Sequence, residues 1–509
     1  MMNLSKENIT KPGNTAAKQV AELMQLPEKV LQFGTGVLLR GLPDYFIDKA
    51  NKQGIFNGRI VIIKSTDGGD FDAFKKQDGL YIQAIRGIEE GKPVQEDIIN
   101  ASVSRVLSAK AEWEAVMLCA TDPAIEIIIS NTTEVGIQMP DQDDLDAAPP
   151  VSFPAKLLAL MYKRFQVFNG DLSKGWIILP TELIISNADK LKQILLELAE
   201  RNKLPHIFMT WLQYANTFCN TLVDRIVPGK LSATDKSDVE TATGFSDELM
   251  IIAESYALWA IESVDEKVNE ILSFAKADSG VVIAPNINKF RELKLRLLNG
   301  THTFTSGLAH IAGIKTVKEA MDNPLTEEHI NDIMIYEIAP QIVSDEITRA
   351  EAEKFARQVL DRFRNPRVEH FWLNITVQYS SKMKMRNIPL LLKHYSNSDQ
   401  VPELIAAGFA AHLLFMKCEK DTDGKYYGNI NNASYLVQDD NAAWYADKWQ
   451  QYEAAEIVAN TLGDVNFWDA NLGDLPGFLN AVQQKLNYLI NGDIAAAVEK
   501  SHTEKTAVK

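Results

Sequence analysis

Between residues 294 and 302 the chain reads KLRLLNGTH, which sets Lys294, Asn299 and His302 along one side of a predicted helix. At about 100° per residue the three side chains fall at about 0°, 140° and 80°, with Lys294 and His302 roughly 12 Å apart along the axis, a gap the long lysine side chain shortens. An amine, an amide and an imidazole converging on one cavity wall can move a proton and polarise a carbonyl. An amphipathic helix with a solvated Lys294 and a break at Asn299-Gly300 fits the same spacing. Lysine is a poor base at neutral pH, so a catalytic Lys294 needs burial and cations such as Arg296 to disfavour its ammonium.

A second signal lies at residues 30–41, VLQFGTGVLLRG. Gly34-Thr35-Gly36 follows a short apolar run ending at Phe33 and opens a predicted helix. Gly34 suits a tight turn, and Gly36 the approach of a pyrophosphate to free N–H groups. Leu39 replaces the third glycine of the usual dinucleotide fingerprint. Arg40 could contact a phosphate or be surface charge. Where an acid would hold a ribose hydroxyl at the end of the second strand, Lys64 stands instead, with Asp67 three residues later. The residues alone leave NAD and NADP both open.

These groups need a scaffold. In the first half, apolar runs at 30–33, 60–63, 80–85, 125–130 and 176–179 alternate with helical patterns near 37–53, 110–119, 154–168 and 188–202. That alternation predicts an α/β, Rossmann-like domain with a largely parallel, doubly wound sheet over residues 1–285. After a short strand at 281–283 and a break near 285–288 the strand signal fades. Helical patterns at 289–311, 315–321, 326–338, 347–362, 368–381, 399–417, 441–460 and 475–500 predict a mainly helical domain over 286–509. Lys294 then begins the first helix of the second domain, and domain junctions favour ligands.

A chain of 509 residues exceeds one core. Its net charge of −16 argues against nucleic-acid and anionic-membrane binding. Cys119, Cys219 and Cys418 lie far apart without metal-ligand spacing, which fits a reducing compartment and no metal. The N-terminus lacks the apolar stretch of a secretion signal, and the run 404–416, interrupted by His412, is too short to cross a bilayer and reads as a buried helix. A cytoplasmic enzyme with a small-molecule substrate is expected; the sequence leaves oligomeric state open.

Several strings together resemble the long-chain polyol and sugar-acid dehydrogenases, the mannitol dehydrogenase family: QFGTGVLLRG (32–41), DGLYIQAIRG (78–87), SNTTEVGI (130–137), GWIILPTELI (175–184), ANTFCNTLVDRIV (215–227), LNGTH (298–302), RFRNP (362–366) and VQDD (437–440). The resemblance implies that Lys294 of K-x4-N-x2-H is the general acid/base, with Asn299, His302 and Asn187 as catalytic partners. It implies substrate contacts at Asp224 and Arg362, to which the residue reading adds Lys382; the expected cofactor contacts are Phe33, Gly34, Thr35, Gly36, Arg40 and Asn131. Mannitol-type members carry a CDN-like segment where this chain has Thr181-Glu182-Leu183, which fits the uronate-reducing branch. That branch implies NAD, no metal, and interconversion of tagaturonate and altronate in hexuronate breakdown; fructuronate reduction, polyol oxidation and a non-catalytic sensor are the alternatives.

A uronate carboxylate needs a cation, and Arg362, Arg364, Lys382, Lys384 and Arg386 are the candidates, Arg362 the best single one. Blander readings stand beside these roles. SKMKMR could be a solvated run, Asp224 could pair with Arg225, Asn187 could cap a helix, and His302 could pack in a core.

Overall fold

In the first unit, strands rich in valine and isoleucine are buried on both faces. A computed structural model of the chain describes residues 1–11, 17–65, 71–132, 136–141 and 143–499. The central sheet comprises β1 (Glu28–Phe33), β2 (Arg59–Lys64), β3 (Val103–Ser108), β4 (Ile127–Ser130), β5 (Ile177–Pro180) and β6 (Thr217–Phe218). All neighbours pair in parallel, in the order β3-β2-β1-β4-β5-β6. Side chains alternate between two cores, Val30, Ile60, Ile62, Ile127 and Ile129 on one face and Leu31, Val61, Ile63, Ile128 and Ile178 on the other.

Strand order reverses between β1 and β4, where Phe33 lies opposite Ser130. Doubly wound sheets bind ligands in the crevice at the carboxyl ends of such a pair. The helix expected over 37–53 is two, α1 (Val37–Gly41) and α2 (Pro43–Lys52), broken at Leu42 (φ −131°, ψ −76°). Pro43 cannot donate a backbone hydrogen bond and starts a new helix instead. The helices α3 (Phe153–Val167) and α4 (Asn187–Arg201) follow β4 and β5.

The run at 80–85 is a strand, but not of this sheet. Tyr81–Glu89 pairs with Lys92–Asn100 and Ile251–Ala253 in a separate three-stranded sheet, and β3 takes the expected place. The cause is the turn at Glu90 (φ 50°) and Gly91 (φ 74°), which folds the chain back as a hairpin. A further sheet has the order β7 (Thr221–Asp224), β8 (Leu258–Glu262), β9 (Val281–Ala284).

The chain divides into two compact units, Met1–Gly87 with Pro93–Ile287, and Ile88–Lys92 with the residues from Asn288 onward. The hairpin tip at Ile88–Lys92 thus groups with the second unit. That unit begins with α5 (Asn288–Leu293), continues through a π-helical turn at Lys294–Gly300 and runs into α6 (Thr301–Ile311). Then come α7 (Arg349–Arg364), α8 (Ile388–Asn397), α9 (Glu403–Phe415) and α10 (Phe478–Ile490). α9 is buried at almost every position, as the apolar run 404–416 requires. No helix among the described residues is long and apolar enough to cross a membrane.

Two elements fall outside the helical segments expected of this mainly helical unit. Cys418–Lys420, Tyr426–Ile430 and Ala433–Leu436 form an antiparallel sheet, whose strands are too short for periodicity to register. α8 arises where the charges of SKMKMR hid a helix start, with Pro389 in its first turn.

Candidate active site

The π turn changes the geometry of the Lys294 segment. An i→i+5 turn holds about 4.4 residues, so Asn299 moves to roughly 50° from Lys294 and His302 to roughly −30°, where a straight α-helix would have spread the three over about 140°. Lys294 and Asn299 are half-buried, and His302 is 6% exposed. The expected spacing therefore stands on a narrower face than α-helical geometry allows.

His302 sits in an aromatic box. Its ring stacks on Phe363 at 4.3 Å, and the edges of His370 and Trp372 approach at 5.0 and 5.7 Å. Burial, then His370, Arg386, Arg362 and Lys382, hold its pKa well below the ordinary histidine range. His302 is consequently neutral at physiological pH, and its Nε2 is buried without a hydrogen-bond partner. An unpaired buried polar atom costs about 1–3 kcal/mol, a cost removed when a ligand supplies the partner.

The candidate cations separate by partner. Arg364 pairs with Glu327 at 2.6 Å and Asp361 at 3.6 Å, and Lys384 with Asp469 at 2.8 Å. Arg386, Arg362 and Lys382 lie near enough to His302 to bear on its charge. Lys382 Nζ donates to the Ile375 carbonyl at 2.8 Å; burial, with Arg386 beside it, lowers its pKa to about 8. Arg296, expected to act on Lys294, is committed elsewhere. Its Nε bonds Glu292 at 3.0 Å and its Nη1 donates to the Met385 and Arg386 carbonyls at 2.9 and 2.6 Å.

In the first unit, Gly34 adopts φ +123°, and a Cβ there would meet Leu39 Cδ1 at 3.0 Å and the Asn131 carbonyl at 3.1 Å. A Cβ on Gly36 would meet nothing within 4 Å. This open, glycine-walled end of the β1/β4 pair fits a dinucleotide brought close to backbone, with Thr35 half-buried between the glycines. The Asn131 side chain is tied to Thr181, donating to its carbonyl at 3.1 Å and its Oγ1 at 3.0 Å.

Three of the expected site residues are held by groups of the protein itself. Arg40 is 3% exposed, lies 5.6 and 5.7 Å from the Phe74 and Tyr81 rings, and donates to the Leu249 carbonyl. Phe33 packs edge-on against Phe153 at 5.0 Å and its carbonyl accepts from Asn131 N–H, leaving it a support for the turn. The Asn187 side chain is hydrogen-bonded at both of its polar atoms. Its Nδ2 donates to the carbonyls of Pro180, Glu182 and Thr221 at 2.9, 3.1 and 3.2 Å, and its Oδ1 accepts from Ala188 and Thr221 N–H at 3.0 Å each. Asn220 Oδ1 helps cap α4 by accepting from Ala188 and Asp189 N–H at 3.1 and 3.3 Å.

Asp224 closes β7 and is 5% exposed. Arg225 turns to the carbonyls of Glu254 and Gly41, at 2.9 and 2.7 Å. Lys64, 6% exposed, packs its ammonium 5.6 Å from the Phe71 ring. Asp67 lies outside the described residues.

His370, Thr303 and Glu182 join the site without having stood out in the sequence. Buried Glu182 accepts from Thr132 N–H at 2.8 Å, Thr132 Oγ1 at 3.0 Å and Ser130 Oγ at 3.1 Å, pinning the segment after β4; burial raises its pKa. Its place in Thr181-Glu182-Leu183 was the available signal.

Residues 28–272 match the mannitol dehydrogenase Rossmann domain, and residues 286–490 the mannitol dehydrogenase C-terminal domain. The chain belongs to the mannitol dehydrogenase family. Altronate oxidoreductase of Bacillus subtilis (strain 168) is 35% identical over 481 residues, 94% of this chain and 95% of its own. Altronate oxidoreductase of Pectobacterium carotovorum is 35% identical over 483 residues, 93% of this chain and 97% of its own. Among solved structures, a substrate-free D-sorbitol dehydrogenase aligns with a TM-score of 0.74 at 19% identity, over 98% of this chain and 100% of its own. Pseudomonas fluorescens mannitol 2-dehydrogenase, in a ternary complex with NAD and D-mannitol, gives 0.63 at 20%, over 99% and 100%. The structural likenesses establish a shared fold; with the family match and the curated relatives, the chain is an oxidoreductase acting on a sugar acid or polyol.

Proposed function

We propose that this member of the mannitol dehydrogenase family interconverts D-tagaturonate and D-altronate with NAD(H), with Lys294 as general acid/base. The observation that carries the reading is the Lys294, Asn299 and His302 face, beside a cluster of cations suited to a carboxylate. Relatedness to altronate oxidoreductases over nearly the whole chain supports the uronate over a plain polyol.

Gly34, Thr35, Gly36 and the Asn131 backbone would hold the dinucleotide, which when bound supplies or accepts the hydride. Negative charge grows on the keto oxygen during reduction, and the Asn299 amide can donate to it. Lys294 Nζ then gives its proton to that oxygen, and recovers it in the oxidative direction. Neutral His302 can orient either the substrate or the lysine through Nε2. Asp224 would accept from substrate hydroxyls, while Arg362 and Lys382 face the acidic end. Asn187 acts as a positioning residue by tying the ends of β5 and β7.

NADH oxidation measured with tagaturonate, fructuronate and fructose in parallel tests the reading against fructuronate reduction and polyol chemistry. Binding without turnover on all three would replace it with a sensor.

A further inference from the structure

We propose that Arg386, aimed by Thr303, anchors the carboxylate of an acidic sugar substrate and sets the preference for a sugar acid over a neutral ketose. This rests on the function proposed above and names the part of the site that reads the acid.

Among the described residues Arg386, like Lys382, has no acidic partner, whereas Lys384 and Arg364 are paired. Its Nη1 donates to Thr303 Oγ1 at 3.1 Å, while its Nε is buried without a partner. A guanidinium grips a carboxylate side-on through Nε and one Nη, and with Nη1 occupied, the Nε and Nη2 edge is the one left for the ligand.

The aim of this edge is fixed from several directions. Thr303 gives its own proton to the Asn299 carbonyl at 2.7 Å, so its oxygen faces Arg386 as an acceptor. Arg296 clamps the Met385 and Arg386 carbonyls. Gly300 admits Asn387 so closely that a Cβ would stand 3.3 Å from Asn387 Oδ1, seating the π turn Met383–Asn387 against the π turn Lys294–Gly300. The anion anchor and Asn299 are thereby joined through one hydroxyl. His302, 94% buried with Nε2 unpartnered, adds a neutral donor or acceptor beside the same cations. Such a gathering of positive groups in a chain of net charge −16 calls for an anionic ligand.

The test uses the full-length protein and the variants Arg386→Gln, Arg386→Lys and Thr303→Val. Tagaturonate and neutral tagatose are compared as substrates, and tagaturonate binding is titrated by calorimetry. Arg386→Gln should weaken tagaturonate binding and kcat/KM about 100-fold, chiefly through KM, and leave tagatose within about 3-fold; Arg386→Lys should recover part of the loss. Thr303→Val should lie between, on the acid alone. Equal loss on both substrates, or no loss on the acid, at unchanged Tm would overturn the proposal. Should the wild type bind tagaturonate through Arg386 yet reduce no sugar acid, the carboxylate site stands and the proposed function falls.

Discussion

Lys294 and Asn299 stand at one i→i+5 interval of a π turn, so their side chains share a face that an α-helix would have denied them. Proton transfer and carbonyl polarisation both need groups aimed at a single oxygen, and this turn brings an amine and an amide into line.

Lys294→Ala should leave NADH affinity within about 2-fold, read by quenching of protein fluorescence, while kcat falls by about 10²–10⁴, the usual range for a lost general acid/base. Loss of cofactor affinity in parallel with turnover would give Lys294 a structural role.

Gly36 offers a clean probe of the dinucleotide crevice. A Cβ there meets nothing within 4 Å and the backbone (φ −61°) suits any residue, so Gly36→Ala should leave Tm unchanged. If backbone at Gly36 meets a pyrophosphate, the methyl group should weaken NADH binding by at least about 10-fold, roughly 1.4 kcal/mol. Unchanged affinity would remove Gly36 from the site.

Lys382 should impose a pH limit. Its pKa lies below the ordinary lysine value, at about 8, so the side chain is cationic below that pH and neutral above it. With tagaturonate, kcat/KM should therefore fall as pH rises through about 8. Lys382→Arg should carry this break beyond pH ~10, because guanidinium keeps its proton. A break that stays in place in Lys382→Arg belongs to another group.

Much of this architecture was legible in the residue pattern. Runs such as RIVIIK and IIIS are strands because β-branched side chains fill both faces of a covered sheet, and the glycines after Phe33 mark its switch point. The π turn was not legible, since α and π turns draw on the same residue types and periodicity at about 100° assumes the former. The setting of Arg40 was not legible, since a cation after a glycine turn looks the same in sequence whether or not it lies beside Leu249 and two aromatic rings. Only tertiary structure reveals three carbonyls around the Asn187 amide. The cations of SKMKMR could be sorted only once Asp469 and Thr303 were placed beside them.

The central claim is that this dehydrogenase acts on a uronate through NAD(H). Initial rates of NADH oxidation by the purified protein, with tagaturonate, fructuronate and fructose side by side, test it directly. Tagaturonate should be reduced with a kcat/KM at least about 100-fold above fructose, as loss of a charge-assisted pair demands, and above fructuronate, with altronate as product. Faster turnover of fructose, or of fructuronate, would contradict it.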